Sequence, residues 1–196
     1  EFDDASKYID HAFRIDDAHY DVLLLKGESY KSSGKYEKAL DMYKRAKVGQ
    51  ESTYAADLEI FNILLLQEKF MEALDFGKLM VVNVENINQE IASGIYFNLA
   101  QANQYIGKEY YDRASGAYEN FIDDNSEVNY TISIKKDCIN NFNIAKSYFE
   151  SAKVYFYDSD SFAIEDNDSL AQAKEMKRII GLIADVYVPS VEGMLN

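Results

Sequence analysis

The chain is poor in the residues that define several classes of protein. Its 196 residues include one cysteine, one proline, nine glycines and no tryptophan. A single cysteine, Cys138, excludes an internal disulfide framework and fits a reducing compartment without requiring one. Because glycine and proline are scarce, no flexible linker divides the chain, and we expect one domain over residues 1–196. The longest apolar runs fall far below the roughly 20 residues of a membrane-spanning helix, so we expect no membrane insertion.

Positive charge is also in short supply. The chain has 34 acidic residues against 20 basic ones, which gives a formal net charge of −14. This surplus opposes binding to phosphate backbones and to anionic membrane surfaces, so we expect no nucleic-acid partner. Two explanations of the acidity stay open, namely solubility and the attraction of a basic partner.

No group of residues has the spacing of a catalytic or metal site. His11 and His19 are the only histidines, and their positions do not make a ligand pair. Cys138 lies in a stretch predicted as helix and is interpreted as a buried small apolar residue. The acidic run over residues 158–168 lacks the glycine and the spacing of a calcium loop, and the capping-box spacing at 169–172 favours a helix start there instead. We therefore expect no catalytic residue, no metal and no cofactor.

The chain does contain a repeat. Alanines recur at 34-residue intervals, each with an aromatic residue three positions before it: Phe2 and Ala5, Tyr36 and Ala39, Phe70 and Ala73. A single helix-turn-helix unit cannot bury its own apolar face and needs neighbours on both sides. Self-similarity at this period is therefore typical of a stacked helical array.

The clearest copy of the repeat lies in residues 20–50. Its residues fall at the spacings of a tetratricopeptide repeat: Leu23, Gly27, Tyr30, Gly34, Tyr36, Ala39, Tyr43 and Ala46. The chain thus resembles the tetratricopeptide repeat family. This resemblance implies an all-α fold, a right-handed α-solenoid of antiparallel helix pairs, and a role as a protein-binding scaffold or adaptor.

Two glycines of this copy have different predicted tasks. Gly27 lies inside a predicted helix, where it costs about 1 kcal/mol relative to alanine, so we expect another backbone to approach closely there, with Ala39 as the neighbour. Gly34 separates two periodic stretches and predicts a short turn between antiparallel helices.

Further copies are predicted on both sides of this one. The copies are placed at 1–17, 20–50, 54–86, 93–124 and 129–188, followed by a tail at 189–196. The first of them matches only the second helix of a unit, so we expect the chain to be part of a longer protein that continues before Glu1. The copy at 93–124 has a lengthened turn after Gly107, and the divergent copy at 129–188 has long helices. Pro189 is expected to end the last helix.

In this family the first helix of each unit lines a concave groove, and its inward stripe contacts the ligand. The resemblance places twelve residues on that stripe: Asp21, Leu24, Leu25, Glu28, Leu58, Glu59, Asn62, Leu65, Phe97, Asn98, Gln101 and Tyr105. Family members that hold the acidic tails of chaperones use lysine, asparagine and arginine there. Leu24 and Glu28 stand at the first lysine and asparagine of that clamp. Gly94 and Asn98 stand at its last lysine and arginine, so a terminal carboxylate would have no clamp.

The prediction is therefore a non-catalytic interaction module, not an enzyme, whose groove holds an apolar or basic segment of a protein partner. Leucines and Phe97 supply contact area, and Glu28 and Glu59 supply negative charge. The leucines have a second interpretation as packing residues between helices. The alternative function is a regulatory or recruiting domain of a larger enzyme or of an export or assembly machine. Localisation stays open between the cytoplasm, which is favoured, and an exported or periplasmic site.

The last predicted helix is apolar on most of its surface, whereas the end of a repeat array needs a polar outer face. Three coverings are open: the tail from residue 188 to 196 folded back, a further unit, or a second copy of the chain in a homo-oligomer. The folded-back tail is favoured.

Overall fold

The computed structural model describes residues 2–48, 54–82, 87–122, 132–162 and 168–195, and these residues are helical with short turns and no strand. The all-α prediction is confirmed for them. Contacts divide the chain into two compact units, residues 1–69 with 85–87 and residues 70–84 with 88–196. The right-handed solenoid and the single domain stay predictions. Within the described ranges, no helix has both the length and the apolar character that crossing a membrane requires.

The first unit contains four helices in the described part of the chain. They are α1 (Phe2–Ile15), α2 (Tyr20–Ser32), α3 (Tyr36–Lys47) and α4 (Tyr54–Leu66). Each packs against the next along the chain. Their buried side chains form the apolar core of the unit: Leu23, Ala39, Leu40, Met42, Tyr43, Ala46, Ala56, Ile60, Phe61 and Ile63. The positions recur at helical spacing, which is why these segments fold as helices with one face inward.

The 34-residue period is visible in the turns of the first unit. Gly34 after α2 and Glu68 after α4 both adopt left-handed backbone conformations, with φ of 69° and 58°. In both turns the amide of this residue bonds the carbonyl three residues earlier, and the next amide bonds the carbonyl five residues earlier. This is the Schellman pattern that terminates a helix. The turn predicted at Gly34 is confirmed, and its counterpart at position 68 uses a glutamate.

Close packing explains Gly27, with a different neighbour from the one expected. A Cβ atom at position 27 would lie 2.5 Å from Cε1 of Tyr43 and 2.8 Å from Cζ. The Tyr43 ring, rather than Ala39, therefore occupies the space that the missing side chain leaves. Because Tyr43 is itself 1% exposed, the ring has little room to move away.

The second unit contains the remaining described helices. They are α5 (Phe70–Val81), α6 (Gln89–Ile122), α7 (Ile132–Phe162), α8 (Ser169–Leu182), a π-helical segment (Ile183–Tyr187) and α9 (Val188–Gly193). The long helix expected in the last copy is confirmed by α7. The central pair of the unit is α6 and α7, with α5 packed on α6 and α8 on α7.

Small residues at seven-residue intervals line the contact between α6 and α7. They are Ser93, Ala100, Gly107 and Ala114 on α6, and Cys138, Ala145, Ala152 and Ser159 on α7. The two ends of the series meet in antiparallel order, because Ser93 bonds Ser159 and the Cys138 thiol donates to the Ala114 carbonyl at 3.3 Å. Between the small residues of α7 lie three buried rings, also seven apart: Phe142, Phe149 and Phe156. Small residues thus let the helices approach, and the rings fill the space on either side.

The turn predicted after Gly107 is wrong, because α6 continues through it as one helix. A Cβ at Gly107 would lie 3.0 Å from the Phe149 ring, so this glycine serves helix packing rather than a turn. Lys108 pairs with Asp112 one turn later at 2.5 Å, and such a pair supports a continuous helix.

A buried serine cluster joins three helices of the second unit at one end. Ser93 donates to the Ser159 carbonyl at 3.1 Å, Ser159 donates to the Ser93 carbonyl at 3.0 Å, and Ser169 donates to the Ser159 hydroxyl at 3.3 Å. The capping box predicted from Ser169 is therefore wrong. Asp168 is the N-cap residue, and Ser169 is fully buried.

The predicted helix end at Pro189 is also wrong. The chain passes from α8 through the π-helical segment into α9, and Pro189 lies in the first turn of α9. A proline inside a helix lacks an amide donor and clashes with the carbonyl four residues earlier, and the wider π turn before it relieves both problems. Val191 on α9 is buried, and Lys135 on α7 donates to the Met194 carbonyl at 3.0 Å. The C-terminal residues thus continue the helix and pack against α7. The favoured covering, a tail folded back over the last helix, is therefore not what the structure shows.

Candidate functional site

The candidate site in the first unit is formed by α2 and α4. We call it the α2/α4 surface, and it comprises Asp21, Leu24, Leu25, Glu28, Lys31, Leu58, Glu59, Asn62 and Leu65. All but Lys31 belong to the predicted stripe. The described structure buries none of its four leucines, since Leu25 is 55% exposed and the other three are half-buried. Their faces are therefore accessible, in contrast to the buried leucines on the inner face of the unit.

Lys31, in the last turn of α2, joins the two helices of this surface. Its Nζ atom lies 2.6 Å from Oε2 of Glu28 and 2.5 Å from Oε2 of Glu59. Glu28 also accepts hydrogen bonds from Ser32 at 3.2 Å and from the Tyr43 hydroxyl at 3.4 Å. Two predicted stripe carboxylates thus share one ammonium group.

The charges of this cluster shift the pKa values of its members. Burial raises the pKa of Glu28, but the bonds and charge of Lys31, with the bonds from Ser32 and Tyr43, together outweigh it and hold the pKa below its ordinary 4.5. Burial lowers the pKa of Lys31, and its two carboxylate partners outweigh that effect, so the pKa is raised. Burial, followed by the charges of Glu59 and Glu28, raises the pKa of Tyr43. Glu28 and Lys31 therefore keep their charges at neutral pH.

Sequence reasoning missed Lys31. The prediction assigned the charges of Glu28 and Glu59 to a partner without considering an internal cation. A signal was present, because Lys31 follows Glu28 by three residues and that spacing places the two side chains on one helix face. The link to Glu59, which is 28 residues further along the chain, depends on tertiary packing.

The third set of stripe residues lies on α6, in the second unit. Phe97 packs edge-on against Phe156 at 5.6 Å between ring centroids, as part of the core of that unit. Asn98 is buried at 6% exposure. Gln101 is half-buried, and Tyr105 is exposed with its ring stacked on Phe70 at 4.6 Å. Asn98 is thus too buried to offer its side chain to a ligand. Phe97 is half-buried with one side against Phe156, and its role as a groove contact stays a prediction.

The residues considered for other chemistry are accounted for separately. His11 and His19 are exposed, on α1 and after it. Cys138 is buried, as predicted, and burial raises the pKa of its thiol to about 11, which suppresses the reactive thiolate. Among the described residues, no group of three histidine, cysteine or carboxylate side chains lies close enough to hold a metal ion. Part of the acidic run, residues 163–167, lies outside the described residues.

Comparison with known proteins adds no family assignment. Neither a scan against protein-family models nor a search of the curated proteins finds a match to this chain. The likeness to the tetratricopeptide repeat therefore rests on the residues and turns described above.

Proposed function

We propose that the protein is a non-catalytic interaction module that binds an apolar segment of a partner protein on the α2/α4 surface. The observation that carries the proposal is the accessibility of its leucines. Complete burial of an exposed leucine side chain contributes about 1.5–3 kcal/mol. Leu25 and the exposed parts of Leu24, Leu58 and Leu65 can each supply a share of that energy to a bound peptide segment. Leu24 and Leu25 lie one turn before Glu28, and Leu58 is adjacent to Glu59. The contact area therefore adjoins a charged group of Glu28, Lys31 and Glu59, here called the polar centre, that can orient a ligand.

The test is the selection of peptide ligands from a displayed library with the full chain, followed by affinity measurement by fluorescence anisotropy. Leu25→Asp and Leu58→Asp should each weaken binding of the selected peptides about tenfold or more, because each removes apolar contact and adds a buried charge. Leu79→Asp is the matched control, since Leu79 is an exposed leucine on α5 outside the α2/α4 surface. Circular dichroism checks that all three variants fold. Equal affinity across the three variants and the original chain would refute the proposed site.

A further inference from the structure

The polar centre of the α2/α4 surface is not balanced in charge. Two carboxylates, from Glu28 and Glu59, lie against the single ammonium of Lys31, which leaves one net negative charge. Glu28 uses both carboxylate oxygens, through Ser32, Tyr43 and Lys31. Glu59 uses only Oε2 in the hydrogen bonds of the described residues. Among the described residues, Oε1 of Glu59 thus has room for a further donor.

The exposures of the three side chains decide which charge a ligand meets. The Lys31 side chain is 18% exposed, against 51% for Glu28 and 28% for Glu59. A ligand approaching from solvent therefore contacts carboxylate before ammonium. An acidic ligand group would meet repulsion first, whereas a basic group would gain attraction strengthened by the partly buried setting.

We propose, resting on the function proposed above, that the bound segment carries one basic side chain among apolar ones, and that Glu28 and Glu59 bind this side chain. Lys31 then has a definite role. In the free protein it compensates the two carboxylates, and in the complex it competes with the ligand cation for them. Removal of Lys31 should accordingly strengthen binding of a basic ligand, which distinguishes this role from a merely structural one.

The probes are three fluorescein-labelled amphipathic peptides of leucine and alanine that differ only in a central arginine, glutamine or glutamate. Fluorescence anisotropy with the full chain should show the arginine peptide binding about tenfold more tightly than the glutamine peptide, the size expected for one charge-assisted hydrogen bond, and the glutamate peptide binding most weakly. Glu59→Gln should remove most of that preference, and Lys31→Met should increase it. Glu72→Gln on α5 is the matched control for net charge and should leave it unchanged.

The outcomes separate the two proposals. Equal affinity for the three peptides overturns the basic-ligand inference, and leaves the proposed function standing if Leu25→Asp still weakens all three. Weaker arginine binding in Lys31→Met overturns the role of Lys31 as a competitor. Binding of none of the peptides overturns both proposals. Self-association of the chain that Leu25→Asp abolishes would assign the surface to a second copy and overturn the inference.

Discussion

An alanine in place of Gly27 would bring a methyl group into contact with the Tyr43 ring. The new Cβ would lie 2.5, 2.8 and 2.9 Å from three ring atoms, all well inside van der Waals contact. The ring is buried, and its hydroxyl donates to Glu28, so it is restrained at both ends. Relief therefore requires α2 and α3 to move apart rather than one side chain to rotate.

The expected cost is the difference between two opposing effects. Overpacking of this kind costs about 1–3 kcal/mol, and the shortest contact here puts the cost at about the upper end of that range. Alanine recovers about 1 kcal/mol of helix propensity relative to glycine. Gly27→Ala should therefore lower the free energy of unfolding by about 2 kcal/mol.

Denaturant unfolding followed by circular dichroism measures this change, and amide hydrogen exchange in α2 and α3 assigns it to the first unit. Gly116→Ala on α6 is the matched control, because no atom of the described residues beyond its own turn of helix lies within 4 Å of the added Cβ. This control should raise the free energy of unfolding by about 0.5–1 kcal/mol. Tyr43→Leu removes the two nearest ring atoms and should abolish the penalty of Gly27→Ala in a double-mutant cycle. An unfolding free energy of Gly27→Ala equal to or above that of the original chain would refute the packing argument.

Three further results are expected. Glu68→Gly should raise the free energy of unfolding by about 1 kcal/mol, and Gly34→Ala should lower it by a similar amount, because glycine alone adopts the left-handed conformation without cost. Urea titration measures both changes, and a result in which they have the same sign would contradict the turn geometry. Cys138, whose thiol pKa is raised to about 11 by burial, should react with iodoacetamide at about pH 8 only after denaturant is added, as mass spectrometry will show. The lowered pKa of Glu28 stabilises the fold above its ordinary pKa of 4.5, and this contribution is lost as the pH falls through the folded value. Glu28→Gln should therefore make the fall in melting temperature below about pH 5 shallower, and an unchanged slope would exclude the Lys31 pairing as its cause.

Local signals in the sequence were sufficient for much of the first unit. The turn at Gly34 was predictable because glycine adopts a left-handed conformation without strain. Its counterpart at Glu68 has no such residue, and only the 34-residue period indicates it. The packing task of Gly27 was predictable, but its neighbour was not, because the choice between Ala39 and Tyr43 depends on how far α3 is rotated.

The second unit shows where a repeat pattern misleads. Ala100, Gly107 and Ala114 fit a family spacing, yet they also fit a seven-residue series of small residues, and the structure uses the second pattern. The sequence alone does not distinguish a glycine that makes a turn from one that allows two helices to pack closely. Only its partner, here Phe149 on another helix, decides between them. Pro189 failed as a signal for a similar reason, since a π-helical segment before it accommodates the ring.

The candidate site was only partly predictable. Residues on one helix face follow from spacing, which placed Leu25 and Glu28 on an accessible surface. Contacts between helices do not follow from spacing, so the pairing of Lys31 with Glu59 and the packing of Phe97 against Phe156 could not be predicted.

The regular core between α6 and α7 has a consequence for alignment. Small residues and phenylalanines both recur every seven residues along α7. If α7 slid by two turns, each phenylalanine would occupy the position of the next phenylalanine, and each small residue that of the next small residue. Apolar packing alone hardly distinguishes the correct register from this slipped one. The hydroxyls of Ser93, Ser159 and Ser169 distinguish the two registers. A slip would leave them buried without hydrogen-bond partners, at a cost of about 1–3 kcal/mol each. Three buried serines thus fix the register of two helices whose apolar side chains alone would permit a slip.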